Sequence, residues 1–348
     1  MVPIAEKQTK GAWYREWRLI SLDGSTLDIA DTVENEKAFG RPGASRGSSA
    51  FPKIRFVALL ESGTHVLWAA RMGKYRTDEI TLAQDVVPAL RRGMLCLADR
   101  FFPSYKLWRK AAQTGADLLW RTRQNARLDV DQRLPDGSYL SRIYASTSDR
   151  RNQRKGIVVR VIDYRLKDVK DAEPIYRLIT TILDPTQAPA KELAALYHER
   201  WEIETALDEL KTHLRGVQIV LRSKTPELVK QEFWGLLMAH YAIRGLMHEA
   251  ALKADEDPDQ LSFLHSVRVV QRRMARFVAI PPSAEKSVPR SDTRRNSRGA
   301  GRFEPQADQP ARRQAKMSNY PLRPRKRQRT LRIDLRSGSE LLSERYWS

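Results

Sequence analysis

The segment YHERWEIETALDELK places Tyr197, Arg200, Glu204 and Lys211 at successive intervals of three, four and seven residues. On a helix turning about 100° per residue they fall within roughly a 60° arc. One face then carries a phenol, a guanidinium, a carboxylate and an ammonium where a core-facing stripe would be apolar. Two further acids close apolar, strand-like runs: Asp23 in LISLDGS and Asp99 in CLADRFF. Sites in open α/β sheets gather beyond strand ends. Two carboxylates there repel unless a cation lies between them, and hard divalent metals take such oxygen ligands. Each signal also has an ordinary reading. DGS after a strand is a turn, and Asp-Arg after a strand is a helix cap. A charged helix face is commonly solvated, its Arg200–Glu204 pair worth about 0.2–0.5 kcal/mol. Position alone leaves both readings open.

The elements that would position these groups alternate in type. WRLISLDG (17–24) reads as a buried strand ending in a turn, followed by the polar, Gly-rich stretch FGRPGASRGSSA. KIRFVALL (53–60) and HVLWAARM (65–72), joined by ESGT, predict a hairpin with Gly in its turn. Residues 79–92 predict a helix strained by Pro88. MLCLAD (94–99) is a short strand and 103–114 a helix. From 116 to 183 the chain is β-patterned: DLLWRTR, YLSRIYA, GIVVRVIDYRL and YRLITTIL. One long helix is expected over 189–213 and a second, amphipathic, over 226–253. The class is α/β.

The formal net charge is +20, from 62 Lys and Arg against 42 Asp and Glu in 348 residues. Nucleic acid is the default partner for such a charge, and an anionic membrane surface the weaker one. Residues 287–336 hold 15 Lys and Arg against 4 Asp and Glu and almost no apolar periodicity. They read as a disordered basic tail, either simply solvated or in non-specific contact with phosphate. A single cysteine, Cys96, inside a strand-like run, excludes a disulfide framework and a Cys-rich zinc site. The six histidines (65, 198, 213, 240, 248 and 265) form no HExxH or paired metal spacing. No Walker A or dinucleotide glycine fingerprint occurs, so no nucleotide cofactor is expected. The first ten residues lack the apolar core of a secretory signal. FWGLLMAHYAI is too short to span a bilayer. A cytoplasmic, nucleoid-associated protein is the expectation.

The pattern Y-x2-R-x3-E-x6-K, matched by Tyr197, Arg200, Glu204 and Lys211, resembles the signature of DDE transposases of the insertion-sequence-four type. LISLDGSTLDIADT is similar to that family's first-acid segment and CLADRFF to its second. QEFWGLLMAHYAIRGLMHEAA and the following LSF are similar to its closing helices, so the resemblance covers about residues 17–270. It implies a ribonuclease-H-like core, a mixed sheet flanked by helices, with a β-rich insertion between the second Asp and the Glu. The implied organisation is 1–115 for the first part of the core, 116–188 for the insertion, 189–286 for the last part of the core and the C-terminal helices, and 287–348 for the basic tail.

The same resemblance implies cut-and-paste transposition, with phosphodiester hydrolysis and strand transfer at insertion-element ends. Asp23, Asp99 and Glu204 would be the catalytic metal ligands for Mg²⁺ or Mn²⁺, as two ions. Paired ions about 3.5–4 Å apart can serve both the attacking and the leaving oxygen. Tyr197, Arg200 and Lys211 would answer to DNA phosphates rather than to protein. The implied partners are double-stranded DNA, as inverted-repeat ends and target, and a second copy when assembled on DNA. In related enzymes a base is flipped onto an aromatic; Trp120 is a candidate, though as a strand residue it reads first as core. Two departures stand out. Phe101 replaces the usual Gly of the second-acid motif, and only 22 residues precede Asp23, where the family carries a helical DNA-binding domain. An inactive remnant that only binds DNA, or a nuclease on the same fold, are the alternatives.

Overall fold

The computed structural model describes residues 1–44, 47–48, 51–166, 173–214, 220–278 and 333–335. Its centre is strand β1, Trp17–Ile29. Alternation along β1 decides the layers. Ile20 and Leu22 point to one face of the sheet, and Leu19, Leu27 and Ile29 to the other. After a short helix α1, Val33–Phe39, capped by the Thr32 side chain, the hairpin strands β2, Lys53–Glu61, and β3, Leu67–Lys74, pair antiparallel beside β1. Helix α2, Glu79–Val86, begins at an Asp78 cap. It gives way to a 3₁₀ turn at Val87–Ala89, where Pro88 cannot continue the α-helical ladder. Strand β4, Met94–Ala98, lies parallel to β1. Helix α3, Tyr105–Ala112, leads to β5, Asp117–Thr122, parallel to β4.

The sheet continues without a break. Strands β6, Tyr139–Ile143, β7, Ile157–Leu166, and β8, Tyr176–Thr180, add antiparallel ladders in the order β3-β2-β1-β4-β5-β8-β7-β6. Twelve strands join this sheet among the described residues. The β-patterned stretch expected as an insertion over 116–188 thus extends the same sheet.

Helices α2 and α3 cover the face bearing Ile20, Leu22, Val57 and Leu59. The opposite face is covered by α4, Ala190–Tyr197, α5, Trp201–Asp208, and α6, Pro226–Ala254. A last helix, α7, Phe263–Val278, packs on the end of α6. The result is a mixed α/β fold of the ribonuclease-H-like kind. No helix among the described residues is long and apolar enough to cross a membrane.

Three expectations are corrected. The first strand does not end at 24: β1 runs on to Ile29, so Asp23 lies within it. The alternation of apolar and small polar residues simply continues through DGS. The single helix expected over 189–213 is divided into four pieces of three windings. Between α4 and α5 lies a 3₁₀ turn, His198–Arg200, and after α5 a π turn, Glu209–His213, with Leu214 N bonded to Glu209 O at 2.8 Å. All these residues have helical propensity, so periodicity cannot register a local tightening or widening set by what the side chains reach. Finally, part of the basic tail is ordered. Ile333–Leu335 forms strand β9 against Tyr164–Leu166, where Ile333 and Leu335 find apolar cover. The rest of that tail lies outside the described residues.

The N-terminal residues are held by a buried acid. Glu61 is fully buried, accepts the backbone N–H of Ile4 and Ala5 at 2.8 Å each, and pairs with Arg18. The adjoining hairpin turn requires glycine at 63, where φ is +78° and a Cβ would lie 2.6 Å from Lys10 O and 2.7 Å from Ala12 N. Neither backbone atom can yield without moving the N-terminal segment. Gly63→Ala is expected to cost on the order of 3 kcal/mol, from left-handed strain plus overlap. Urea unfolding measures it, and a loss below about 1 kcal/mol would contradict this close packing.

Candidate active site

Parallel pairing sets Leu22 of β1 opposite Ala98 of β4. Asp23 and Asp99 are each the next residue, following paired positions on backbones about 4.8 Å apart. Asp23 Oδ1 accepts the Gly24 N–H at 2.7 Å, and Asp99 Oδ1 accepts the Arg100 N–H. Gly24 serves the opposite face: a Cβ there would lie 2.7 Å from Glu79 Cδ, so its absence lets the start of α2 approach the strand.

The third acid arrives from the covering helices. Tyr197, the last residue of α4, is buried and its hydroxyl donates to Ala98 O at 3.4 Å, beside Asp99. Burial holds this phenol well above its ordinary range. Arg200, in the 3₁₀ turn, is 7% exposed. Its Nη1 lies 3.3 Å from Asp23 Oδ2 and its Nη2 3.3 Å from Glu204 Oε1. Lys211, in the π turn, donates to Ser25 Oγ at 2.9 Å, and burial lowers its pKa. Asp23, Asp99, Glu204, Tyr197, Arg200 and Lys211 are therefore brought to one place. The solvated-face reading of the signature segment does not survive, because Tyr197 and Arg200 face the sheet. The expectation that Arg200 and Lys211 meet no protein partner is corrected too: carboxylates and a serine hydroxyl stand within their reach.

The three acids feel one another. The Asp23 carboxyl is pushed up to about 6, first by burial and further by the negative charges of Asp99 and Glu204, against the pull of Arg200 and the Gly24 N–H. One guanidinium and the Lys211 ammonium do not balance three carboxylates. Such an oxygen-rich, negatively charged set is what a hard divalent cation takes as ligands.

Other groups behave less as expected. Trp120 is fully buried, edge-on to Trp108 at 5.1 Å, and is core rather than an exposed stacking platform. Sequence reasoning missed Glu173, which bridges Arg100 at 2.9 Å and also Arg121. It missed as well a buried group formed by His65, Glu202 and Asp259, whose ligand-type atoms lie within 4.8 Å of one another. Separations of 57 to 194 residues along the chain left no spacing signal for that group.

Residues 16–242 match the sequence family described as the transposase DDE domain. The chain belongs to the DDE transposase family. It is 30% identical over 268 residues to the transposase InsG for insertion sequence element IS4 of Escherichia coli K12, a match covering 76% of this chain and 60% of that protein. The chain thus spans about three fifths of that relative's length. A cryo-EM structure of the piggyBac transposase synaptic complex with hairpin DNA aligns with a TM-score of 0.46 and 12% identity, covering 84% of this chain and 59% of that one.

In this DDE chain the charge of Asp23 has a cost that folding must meet. Its carboxyl titrates near 6 when folded against an ordinary 3.8. A raised acid contributes stability that is present below the unfolded value and lost as pH rises through the folded one. In buffer with a chelator, Asp23→Asn is therefore expected to melt higher than the parent at pH 7.5. The difference should shrink between pH 6 and 4, the window between the two values. A lower melting temperature for the variant at pH 7.5 would show that the acids are not mutually strained.

Proposed function

We propose that the chain catalyses metal-dependent DNA transposition, cutting phosphodiesters at the ends of an insertion element and joining those ends to target DNA. The observation that carries this reading is the meeting of Asp23, Asp99 and Glu204 around Arg200. The three acids would hold Mg²⁺ or Mn²⁺, as a pair of ions. When bound, such ions supply Lewis-acid activation of an attacking oxygen and charge stabilisation of a leaving one.

The chain's own residues do the rest. Arg200 reduces the repulsion between Asp23 and Glu204 and keeps a forked donor beside the place where a phosphate would lie. Lys211 adds a point charge from the π turn. Tyr197 ties the end of β4 to α4 through the Ala98 carbonyl and so fixes the backbone that precedes Asp99. The net charge of +20 favours the DNA backbone through counterion release. Partners in this reading are inverted-repeat ends, target DNA and a second copy on the DNA, met in the cytoplasm at the nucleoid.

The test is incubation with Mn²⁺ and the DNA flanking the chain's own reading frame. Nicks at the tips of inverted repeats are expected, and Asp23→Asn, Asp99→Asn and Glu204→Gln should each abolish them while leaving DNA binding intact. Scattered nicks would indicate a nuclease on the same fold, and binding without nicks a remnant that no longer cuts. Arg200→Ala and Lys211→Ala should slow cutting by roughly 10- to 150-fold, the size of one charge-assisted contact of about 1.5–3 kcal/mol. Unchanged rates in both would remove those two residues from the site.

A further inference from the structure

Glu204 stands between two acids that face the other way. At about 100° per residue, Glu202 and Glu209 fall on one side of the segment, within roughly 20° of each other, and Glu204 and Lys211 on the opposite side. The inward pair is buried and bound. Glu202 is 3% exposed, and its Oε2 accepts the Gly63 N–H at 2.7 Å. Glu209 takes a fork from Arg244 of α6: Nε to Oε2 at 2.9 Å, and Nη2 to Oε1. His240 Nε2 lies 3.3 Å from the same Oε2. Burial opposes the charge on Glu209, but Arg244 and the His240 hydrogen bond outweigh it and hold the carboxyl at about 2. Arg244 is itself 2% exposed, and Phe263 of α7 lies under its guanidinium at 5.3 Å.

The neighbouring group of His65, Glu202 and Asp259 has the spacing of a cation site. Arg244 argues against that use. Its Nη2 lies 2.7 Å from His65 Nδ1, and a guanidinium only donates. Nδ1 therefore keeps its lone pair, and the ring hydrogen sits on Nε2, facing Asp259 Oδ1 at 2.9 Å. A metal on Nε2 would need that hydrogen on the other nitrogen.

We propose that Glu209 and Arg244 are positioning residues for Glu204. The buried fork locks one side of the 201–213 segment against α6 and the hairpin turn, and thereby fixes the direction in which Glu204 leaves the other side. The π turn belongs to this device, since it lets Glu209 stay on Arg244 while Lys211, two residues on, reaches Ser25. A buried ion pair contributes little net stability against apolar residues of similar volume, but it allows only one alignment of the two helices. The inference rests on the reading of Glu204 as a metal ligand.

The experiment replaces the pair together, Glu209→Met with Arg244→Met, so that no charge is left buried alone. Melting temperature, Mn²⁺ binding by electron paramagnetic resonance without DNA, and the Mn²⁺ half-saturation of nicking are measured beside wild type. The expected result is a folded protein melting near wild type whose Mn²⁺ binding and half-saturation weaken tenfold or more. Wild-type Mn²⁺ behaviour in the double variant would overturn the proposal. Should the double variant fail to fold, Arg244→Lys keeps the charge and removes the fork. It should shift Mn²⁺ half-saturation in the same direction, and no shift would again overturn the proposal. Glu204→Gln runs in parallel. If it binds Mn²⁺ as wild type does, the metal reading of Glu204 falls with this one; if only the double variant does, the positioning role alone falls.

Discussion

Three carboxylates held together in a partly buried place repel one another, and much of this fold is organised around tolerating that repulsion. The Asp23 carboxyl is pushed up to about 6, first by burial and then by the charges of Asp99 and Glu204. Arg200 is the counterweight, reaching Asp23 and Glu204 at the same 3.3 Å. The arrangement is stable only because the rest of the domain imposes it. Parallel pairing of β1 and β4 fixes the two aspartates side by side. Helices α4 and α5, seated on apolar clusters, fix the glutamate opposite them. A site built this way is short of positive charge, which is the condition under which it would take a divalent cation and a phosphate together.

The same segment has a second, quieter polar side. Glu202 and Glu209 are buried on the side of that segment turned away from Glu204, and their partners come from the hairpin turn and from α6. Glu61 does similar work beside the same turn, tying Ile4, Ala5 and Arg18 to it. Buried ion pairs of this kind add little net stability over apolar residues of similar volume. They surround β1 and the 201–213 segment, the two places where a small rotation would move Asp23 or Glu204.

The large sheet has a consequence for how the site is framed. Strands β5 to β8 continue the ladder of β4, the strand that Asp99 follows. Glu173, between Arg100 and Arg121, joins the residue after Asp99 to β5. The β-rich stretch is thus a wall of the site, and Trp120 is one of the side chains packed inside that wall.

The amino-acid sequence by itself determined the class of fold and the side chains available to the site. Of the six groups that meet, Asp23 in LISLDGS and Asp99 in CLADRFF were joined to the rest through the family resemblance. Spacing in YHERWEIETALDELK put the other four on one face, because local order along a helix decides which residues share a face. Alternation named the hairpin and the β-rich stretch for the same reason. Tertiary structure decided what local order cannot express. Whether β1 stops at Gly24 or runs to Ile29 depends on the neighbours it pairs with. Whether residues 189–213 form one helix depends on where Arg200 and Glu209 find charged partners, and those lie on β1 and α6. The meeting of His65, Glu202, Glu209 and Arg244 is a long-range electrostatic fact, with contacts spanning from 35 to 179 positions in sequence. No periodicity extends that far; only packing of the whole chain brings opposite charges out of water and into each other's reach.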